Sequence, residues 1–162
     1  MRILIVSDTH ARQEHLRQIL PKVEPDEVWH LGDSEGYTNE IAQMAGVPCS
    51  FVAGNCDMFG ASYLSDFMIK EVGKHRVYMC HGHKDSVKYG LGALVSAAKA
   101  QGCDIALFGH THVPTYEEVN GITVVNPGSI SLPRQDGRVP TYAVMNVDDD
   151  GEVRIGIVYK DW

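Results

Sequence analysis

The sequence predicts an α/β fold in four layers, an α-β-β-α sandwich of two mixed sheets flanked by helices. Three observations carry that prediction. Uninterrupted apolar runs such as Ile3-Leu4-Ile5-Val6 and Ile105-Ala106-Leu107-Phe108 read as strands buried on both faces, which a sheet between two other layers requires. Early in the chain these runs alternate with helical spacing, the signature of parallel strands joined by right-handed crossovers. From Pro114 onward the pattern changes to hairpins.

Taken in order, the first strand runs from Ile3 to Val6 and opens into Ser7-Asp8-Thr9-His10. Leu16, Ile19, Leu20 and Val23 then follow amphipathic helical spacing, and Pro21 and Pro25 are expected to bring that helix to an end. A second strand, Val28-Trp29-His30-Leu31, leads to Gly32-Asp33. Tyr37, Ile41 and Met44 mark a second helix, with Gly46 just past its end. Ser50 to Ala53 is a third strand leading to Gly54-Asn55-Cys56-Asp57. Phe67 to Val72 and Val77 to Cys80 flank a turn at Gly73-Lys74-His75, and that hairpin ends in His81-Gly82-His83. Leu91, Leu94, Val95 and Ala98 mark a third helix. The strand from Ile105 to Phe108 then delivers Gly109-His110-Thr111-His112. Pro114 to Val119 and Ile122 to Val125 flank Asn120-Gly121, a pair that favours a tight hairpin turn. Tyr142 to Val147 and Val153 to Tyr159 form the last hairpin, across an acidic turn from Asp148 to Gly151.

At 162 residues the chain is expected to form a single domain over residues 1–162, long enough to bury roughly two thirds of its unfolded surface. The net charge of −7 and the lack of any basic run disfavour general attraction to nucleic acid or anionic membranes. No segment has the length of a bilayer span, and the short apolar run at the start is broken by Ser7 and Asp8, so a soluble protein without a targeting segment is expected. Cys49, Cys56, Cys80 and Cys103 show no Cys-x-x-Cys spacing, which fits a reducing, cytoplasmic setting.

Five strands therefore end in groups able to bind metal: Asp8 with His10, then Asp33, Asn55, His81, and the pair His110 and His112. Carboxyl ends of strands in open α/β sheets lie along one rim, where ligands bind, so these groups are expected to converge. Seven donors exceed what one small cation holds, which argues for two metals sharing a carboxylate, with Asp33 as the bridge. If His110 and His112 are extended, they project to the same side about 7 Å apart. Oxygen and imidazole donors suit Mn, Fe, Ni or Zn. Two such ions about 3.5 to 4 Å apart form the known clamp for in-line displacement at phosphorus.

In these residues the chain resembles the calcineurin-like metallophosphoesterases, and most closely their small bacterial and archaeal phosphodiesterase members. The likeness spans nearly the whole sequence and includes, in order, Asp8-Thr9-His10, Gly32-Asp33, Gly54-Asn55, His81-Gly82-His83, Gly109-His110-Thr111-His112 and Asn126-Pro127-Gly128-Ser129. It implies one metal on Asp8, His10 and His112, a second on Asn55, His81 and His110, and Asp33 shared between them. Two divalent ions, Mn2+ first and Ni2+, Fe2+ or Zn2+ as alternatives, would then leave a net positive pocket for a phosphate ester. The expected reaction is attack on a phosphate diester by a hydroxide bridging the ions, with Asp33 and Asn55 in the catalytic set. The expected substrate is a small phosphodiester, of which nucleotide-derived esters are one class. Homo-oligomerisation is left open.

Many larger relatives carry His after the Gly-Asn pair, but this chain has Cys56. A thiol, with a reference pKa about 8.5, protonates a leaving oxygen less well near neutrality than an imidazolium at about 6.5. That disfavours esters with strongly basic alkoxide leaving groups; the small phosphodiesterase members resemble this chain in carrying a non-His residue here, which implies a diesterase acting on activated or nucleotide-type esters. A covalent cysteine mechanism is not expected, because no phosphate-cradling loop with an Arg stands beside Cys56. His83 stands open between two readings, a role at the phosphate or in support of a ligand, and a surface role. His15, His30 and His75 read as structural, Arg134 as a solvated loop residue with a phosphate oxygen as its alternative partner, and Asn126 to Ser129 as backbone support for the rim. The alternative function is a non-catalytic scaffold like the phosphoesterase-like subunit of the retromer coat, and the retained ligand set argues against it. A metallo-β-lactamase-type hydrolase is disfavoured by the lack of a His-x-His-x-Asp-His run.

Overall fold

A computed structural model gives the structure and describes residues 1–58 and 63–160. Chain order is β1 (Arg2–Val6), α1 (Glu14–Val23), β2 (Glu27–His30), α2 (Thr38–Ala45), β3 (Cys49–Phe51), β4 (Phe67–Val72) and β5 (His75–Cys80). A 3-10 turn at His83–Asp85 precedes α3 (Gly92–Ala100), β6 (Ile105–Leu107), β7 (Thr115–Val119), β8 (Ile122–Asn126), β9 (Thr141–Val147) and β10 (Val153–Tyr159). The strands form two mixed five-stranded sheets, ordered β10-β9-β1-β2-β3 and β4-β5-β6-β8-β7. In the first sheet β1, β2 and β3 are parallel while β9 and β10 run against them. In the second, β5, β6 and β8 are parallel, with β4 and β7 antiparallel at the edges.

Strand alternation builds the layers. Ile3 and Ile5 point inward with Trp29 and Leu31 to meet Val77, Met79, Leu107 and Val125 of the other sheet. Leu4 and Val6, on the opposite face of β1, pack with Val28 under Leu16, Ile19 and Ile41 of α1 and α2. Tyr78, Ala106 and Val124 of the second sheet lie against Leu94, Val95 and Ala98 of α3. Each apolar cluster is therefore one interlayer of an α-β-β-α sandwich, and β1 is buried on both faces because it is central in its sheet.

Two local expectations need correction. Pro21 does not end α1, which continues to Val23, where Glu24 adopts a left-handed conformation and returns its N–H to the Leu20 carbonyl. The proline removes only the bond to the Arg17 carbonyl, and both residues are solvent-exposed, so water can take that acceptor. The third strand ends at Phe51, and Val52 contributes only a parallel bridge to Ser65. The Asn120-Gly121 turn has φ of 50° and 81°, the doubly left-handed geometry that matches strand twist.

All six parallel strands point their carboxyl ends the same way. The loops after β1, β2 and β3 thus face those after β5, β6 and β8 across the interlayer, along one rim.

Candidate metal centre

The loop after β1 carries Asp8 and His10, and it is sewn to the loop after β2 by backbone bonds. Asp8 N–H donates to the Gly32 carbonyl at 3.1 Å and His10 N–H to the Asp33 carbonyl at 3.0 Å. Asp8, His10 and Asp33 all have positive φ, at 56°, 45° and 58°, as do His110 at 68° and His112 at 59°. Five of the seven expected ligands are thus held in a backbone region that costs energy for any side-chain residue and that clusters at functional sites.

These conformations overturn the expectation of an extended His110-Thr111-His112. The chain turns there, with Thr111 N–H on the Gly109 carbonyl at 2.7 Å, so the two rings diverge. The His112 ring lies 5.1 Å from His10, while His110 lies 5.1 Å from His81, so the pair splits between two groups.

In the first group, His10 Nε2 and His112 Nε2 approach to 3.2 Å, and His112 Nε2 is 3.2 Å from Asp8 Oδ1. His112 Nδ1 donates to the Leu132 carbonyl and His10 Nδ1 to Glu35 Oε1, both at 2.6 Å. With Nδ1 donating outward, each ring in its neutral form turns a lone pair inward. Asp8 Oδ1 is buried with no hydrogen-bond partner. Two nitrogen lone pairs and an unpartnered buried carboxylate oxygen meeting at one point are three acceptors without a donor, the arrangement a cation relieves.

In the second group, His81 Nδ1 donates to the Leu31 carbonyl at 2.6 Å, leaving Nε2 at 3.3 Å from Asp33 Oδ2 and 3.1 Å from Asn55 Oδ1. Asp33 Oδ2 is also 3.6 Å from His10 Nε2, so this carboxylate lies between the groups. Asp8, His10 and His112, and likewise Asp8, Asp33 and His81, offer atoms close enough to share an ion.

The charges respond accordingly. Burial pushes Asp33 up, but the His81 hydrogen bond and charge, with the Cys56 N–H at 2.8 Å, outweigh it and hold the carboxyl well below its usual range. Burial likewise opposes the negative charge of Asp8, and His112 and His81 overcome it to lower that group too. Burial pulls His81 down, yet its bond to Asp33 and the charges of Asp8 and Asp33 outweigh that and raise it above the ordinary histidine value. His110 is pushed down to about 4, first by burial and then by the charge of His81.

The remaining expected residues differ in their placement. Cys56 is exposed, and burial together with Asp33 pushes its thiol up to about 11. Its Sγ lies beside His10 and Glu35. The His83 ring is 5.4 Å from His81 and 6.1 Å from His110, with a buried Nδ1 that has no partner, and burial lowers its pKa. Asn126 Nδ2 supports the loop after β6 through the Gly109 carbonyl and Thr111, and Ser129 Oγ holds the Asp8 carbonyl at 2.8 Å.

Two carboxylates escaped the sequence reading. Glu35 orients His10, and Asp57 gathers the N–H groups of Asp33, Glu35 and Gly54. Asp57 sits in Gly-Asn-Cys-Asp two positions after the expected ligand Asn55, which was the available signal; Glu35 had none beyond proximity to Asp33. His30 proves to be more than strand filler. It is fully buried, accepts from Gly32 N–H through Nδ1 and bonds Thr9 Oγ1 through Nε2, joining two ligand loops. Gly54 and Gly109 are required for space, since a Cβ on either would strike Asp33 or Ser7.

A family model for the calcineurin-like phosphoesterase superfamily domain matches residues 1–150. The probable metallophosphoesterase YsnB of Bacillus subtilis is 35% identical over 152 residues, covering 93% of this chain and 86% of that protein. The phosphodiesterase MJ0936 of Methanocaldococcus jannaschii is 29% identical over 144 residues, 79% of this chain and 83% of its own. Among solved structures, wild-type Vps29 from Entamoeba histolytica, complexed with Zn2+, superposes with a TM-score of 0.76 at 23% identity, covering 98% of this chain and 99% of that one. That last likeness speaks to the fold alone.

Proposed function

The chain belongs to the calcineurin-like phosphoesterase superfamily, and on that premise we propose that its rim cluster is a two-ion centre that hydrolyses small phosphate diesters. The observation that carries this reading is the meeting of His10 Nε2, His112 Nε2 and the unpartnered Asp8 Oδ1. Asp8, His10 and His112 would hold one divalent ion, Asn55, His81 and His110 the other, with Asp33 shared. The donors are oxygen and imidazole nitrogen, which accept Mn2+, and equally Ni2+, Fe2+ or Zn2+. Ions held there supply Lewis acidity toward the phosphoryl oxygens and acidify a water for attack on phosphorus.

The chain's own residues account for the rest. The Leu31 and Leu132 carbonyls and Glu35 fix the tautomers of His81, His112 and His10, so that three lone pairs face inward without reorganisation. Asn55 Oδ1 donates electron density while adding no negative charge. His83, beside His81 and His110, is in reach of a phosphate group on the second side. Cys56 keeps its proton through neutral pH, because its pKa is raised to about 11, and so it is a weak acid toward a leaving alkoxide. Diesters with good leaving groups should be preferred, and Cys56→His should widen activity toward alkyl esters. An unchanged dependence on leaving-group pKa would remove Cys56 from this role.

The decisive experiment strips the protein with chelator, restores single metals, and compares bis(p-nitrophenyl) phosphate with p-nitrophenyl phosphate. Diester turnover restored by at least one metal in the parent, and lost in Asp33→Ala, supports the reading; no turnover with any metal ends it. The second reading is a protein-binding scaffold on the same fold, a fold that Vps29 shares. Since that Vps29 is itself complexed with Zn2+, ion binding does not separate the two readings and turnover does.

A further inference from the structure

The two ends of the molecule carry unlike surfaces. Nine large hydrophobic residues are exposed among the described residues, and five of them, Tyr37, Met58, Tyr63, Tyr89 and Val113, lie in the loops leaving β2, β3, β5 and β6. These are the loops that bear the candidate ligands. Tyr89 is 93% exposed and Tyr63 64%. Tyr63 is fastened by its hydroxyl, 2.6 Å from Thr38 Oγ1 at the start of α2. Exposed apolar side chains gathered on one face mark a binding surface more often than scattered ones do.

Cations share this rim. Arg12 follows His10 by two positions, and Arg134 is anchored by its backbone N–H to the His112 carbonyl at 3.0 Å. Lys88 stands near enough for its charge to act on His110. The lysine and arginine ion pairs among the described residues use other side chains, so these three charges face outward unneutralised. The opposite end, around the β4–β5 and β9–β10 turns, holds Asp104, Asp148, Asp149, Asp150 and Glu152. Lys74 and His75 offset Glu152 and Asp104 there, and Glu35 and Asp66 stand among the rim loops, so Arg12, Lys88 and Arg134 offer local contacts to an anion and not a long-range field.

Building on the diesterase reading above, we propose that the substrate is a short single-stranded oligonucleotide. One phosphodiester lies at the ions, bases stack on Tyr37, Tyr63 and Tyr89, and flanking phosphates meet Arg12, Lys88 and Arg134. Aromatic faces accept any base and cations follow the backbone, which is the combination that sequence-tolerant single-strand binding uses. A duplex keeps its bases inside the stack, where these tyrosines have no access. A simple aryl or alkyl diester engages the ions and leaves the aromatic rim without a partner.

The test measures kcat/KM of the Mn2+-loaded protein on a ribo- and a deoxyribo-tetranucleotide and on bis(p-nitrophenyl) phosphate. At least one tetranucleotide should be the better substrate. Tyr89→Ala should lower its kcat/KM on the order of tenfold more than that of the small diester, mainly through KM. Arg134→Ala should flatten the salt dependence, and Arg154→Ala, at the far end, should change neither. Tetranucleotides no better than the small diester, or equal losses on both, overturn the proposal. If neither the small diester nor a tetranucleotide is turned over with any metal, the diesterase reading fails. Fluorescence anisotropy with a labelled tetranucleotide then still reads the rim: binding weakened by Tyr89→Ala supports it, and no binding overturns it. A dimer that Tyr89→Ala dissolves would assign the rim to self-association and also overturn it.

Discussion

One oxygen of the Asp57 carboxylate accepts from the N–H groups of Asp33 at 2.7 Å and Gly54 at 2.8 Å, and the other from Glu35 N–H at 2.6 Å and the Ser34 hydroxyl at 3.2 Å. A single buried side chain therefore ties the loop after β2 to the loop after β3, and both present candidate ligands. Asp57→Asn replaces an acceptor by an amide facing donors, so Mn2+ affinity measured by calorimetry should fall about 10- to 100-fold, the usual cost of losing such support. Unaltered affinity would make the clamp dispensable. His30 gives a pH signature instead. Burial, above all, pushes its pKa down to about 4, so between its unfolded value of about 6.5 and that value the unfolded chain binds more protons than the native one. Stability is whole above that window and falls as pH drops through it, by up to about 3 kcal/mol. Urea unfolding of metal-free protein at pH 7 and 4.5 should show a larger loss for the parent than for His30→Gln, and equal losses would refute the assignment. None of this was legible at residue level, because Asp57 acts through the N–H groups of Asp33 and Glu35, 24 and 22 positions away, and His30 through the Thr9 hydroxyl, 21 positions away, and the Gly32 N–H.

At the scale of elements, β1 shows why the pattern could be read. Ile3 and Ile5 join the cluster between the sheets and Leu4 and Val6 the one beneath α1 and α2, so an unbroken apolar run is what two-sided burial demands. Ile5→Ala opens a cavity between the sheets and should cost about 2–5 kcal/mol in urea unfolding. A loss below about 1 kcal/mol would mean that the layers collapse around it. The helices were equally plain, since Leu16, Ile19, Leu20 and Val23 are the buried face of α1. Pro21 misled because the rule against interior proline assumes a buried or paired carbonyl one turn back, and here that carbonyl belongs to exposed Arg17. The placement of β9 beside β1, more than 130 residues apart in the register Ile5↔Ala143, was beyond any local signal.

At the scale of the whole molecule, the two sheets are held together at their ligand-bearing rim across a set of buried acceptors, so ions should stabilise the fold. Saturation at about 100 times Kd adds about 2.7 kcal/mol, which for a domain this size raises Tm by roughly 5–10 °C. Differential scanning calorimetry with Mn2+ should show that rise in the parent and little of it in Asp33→Ala; an equal rise in both would place the ions elsewhere. The sequence by itself determined the layer class, the order of the strands along the chain and which strand ends carry donors, because burial and turn chemistry leave their mark within a few residues. Only the tertiary structure decided how the donors divide. His10 and His112 meet although they are 102 positions apart, aimed by the Glu35 carboxylate and the Leu132 carbonyl, and His110 turns from its neighbour toward His81 in a strained loop conformation. Those aims exist only once the two sheets have packed rim to rim.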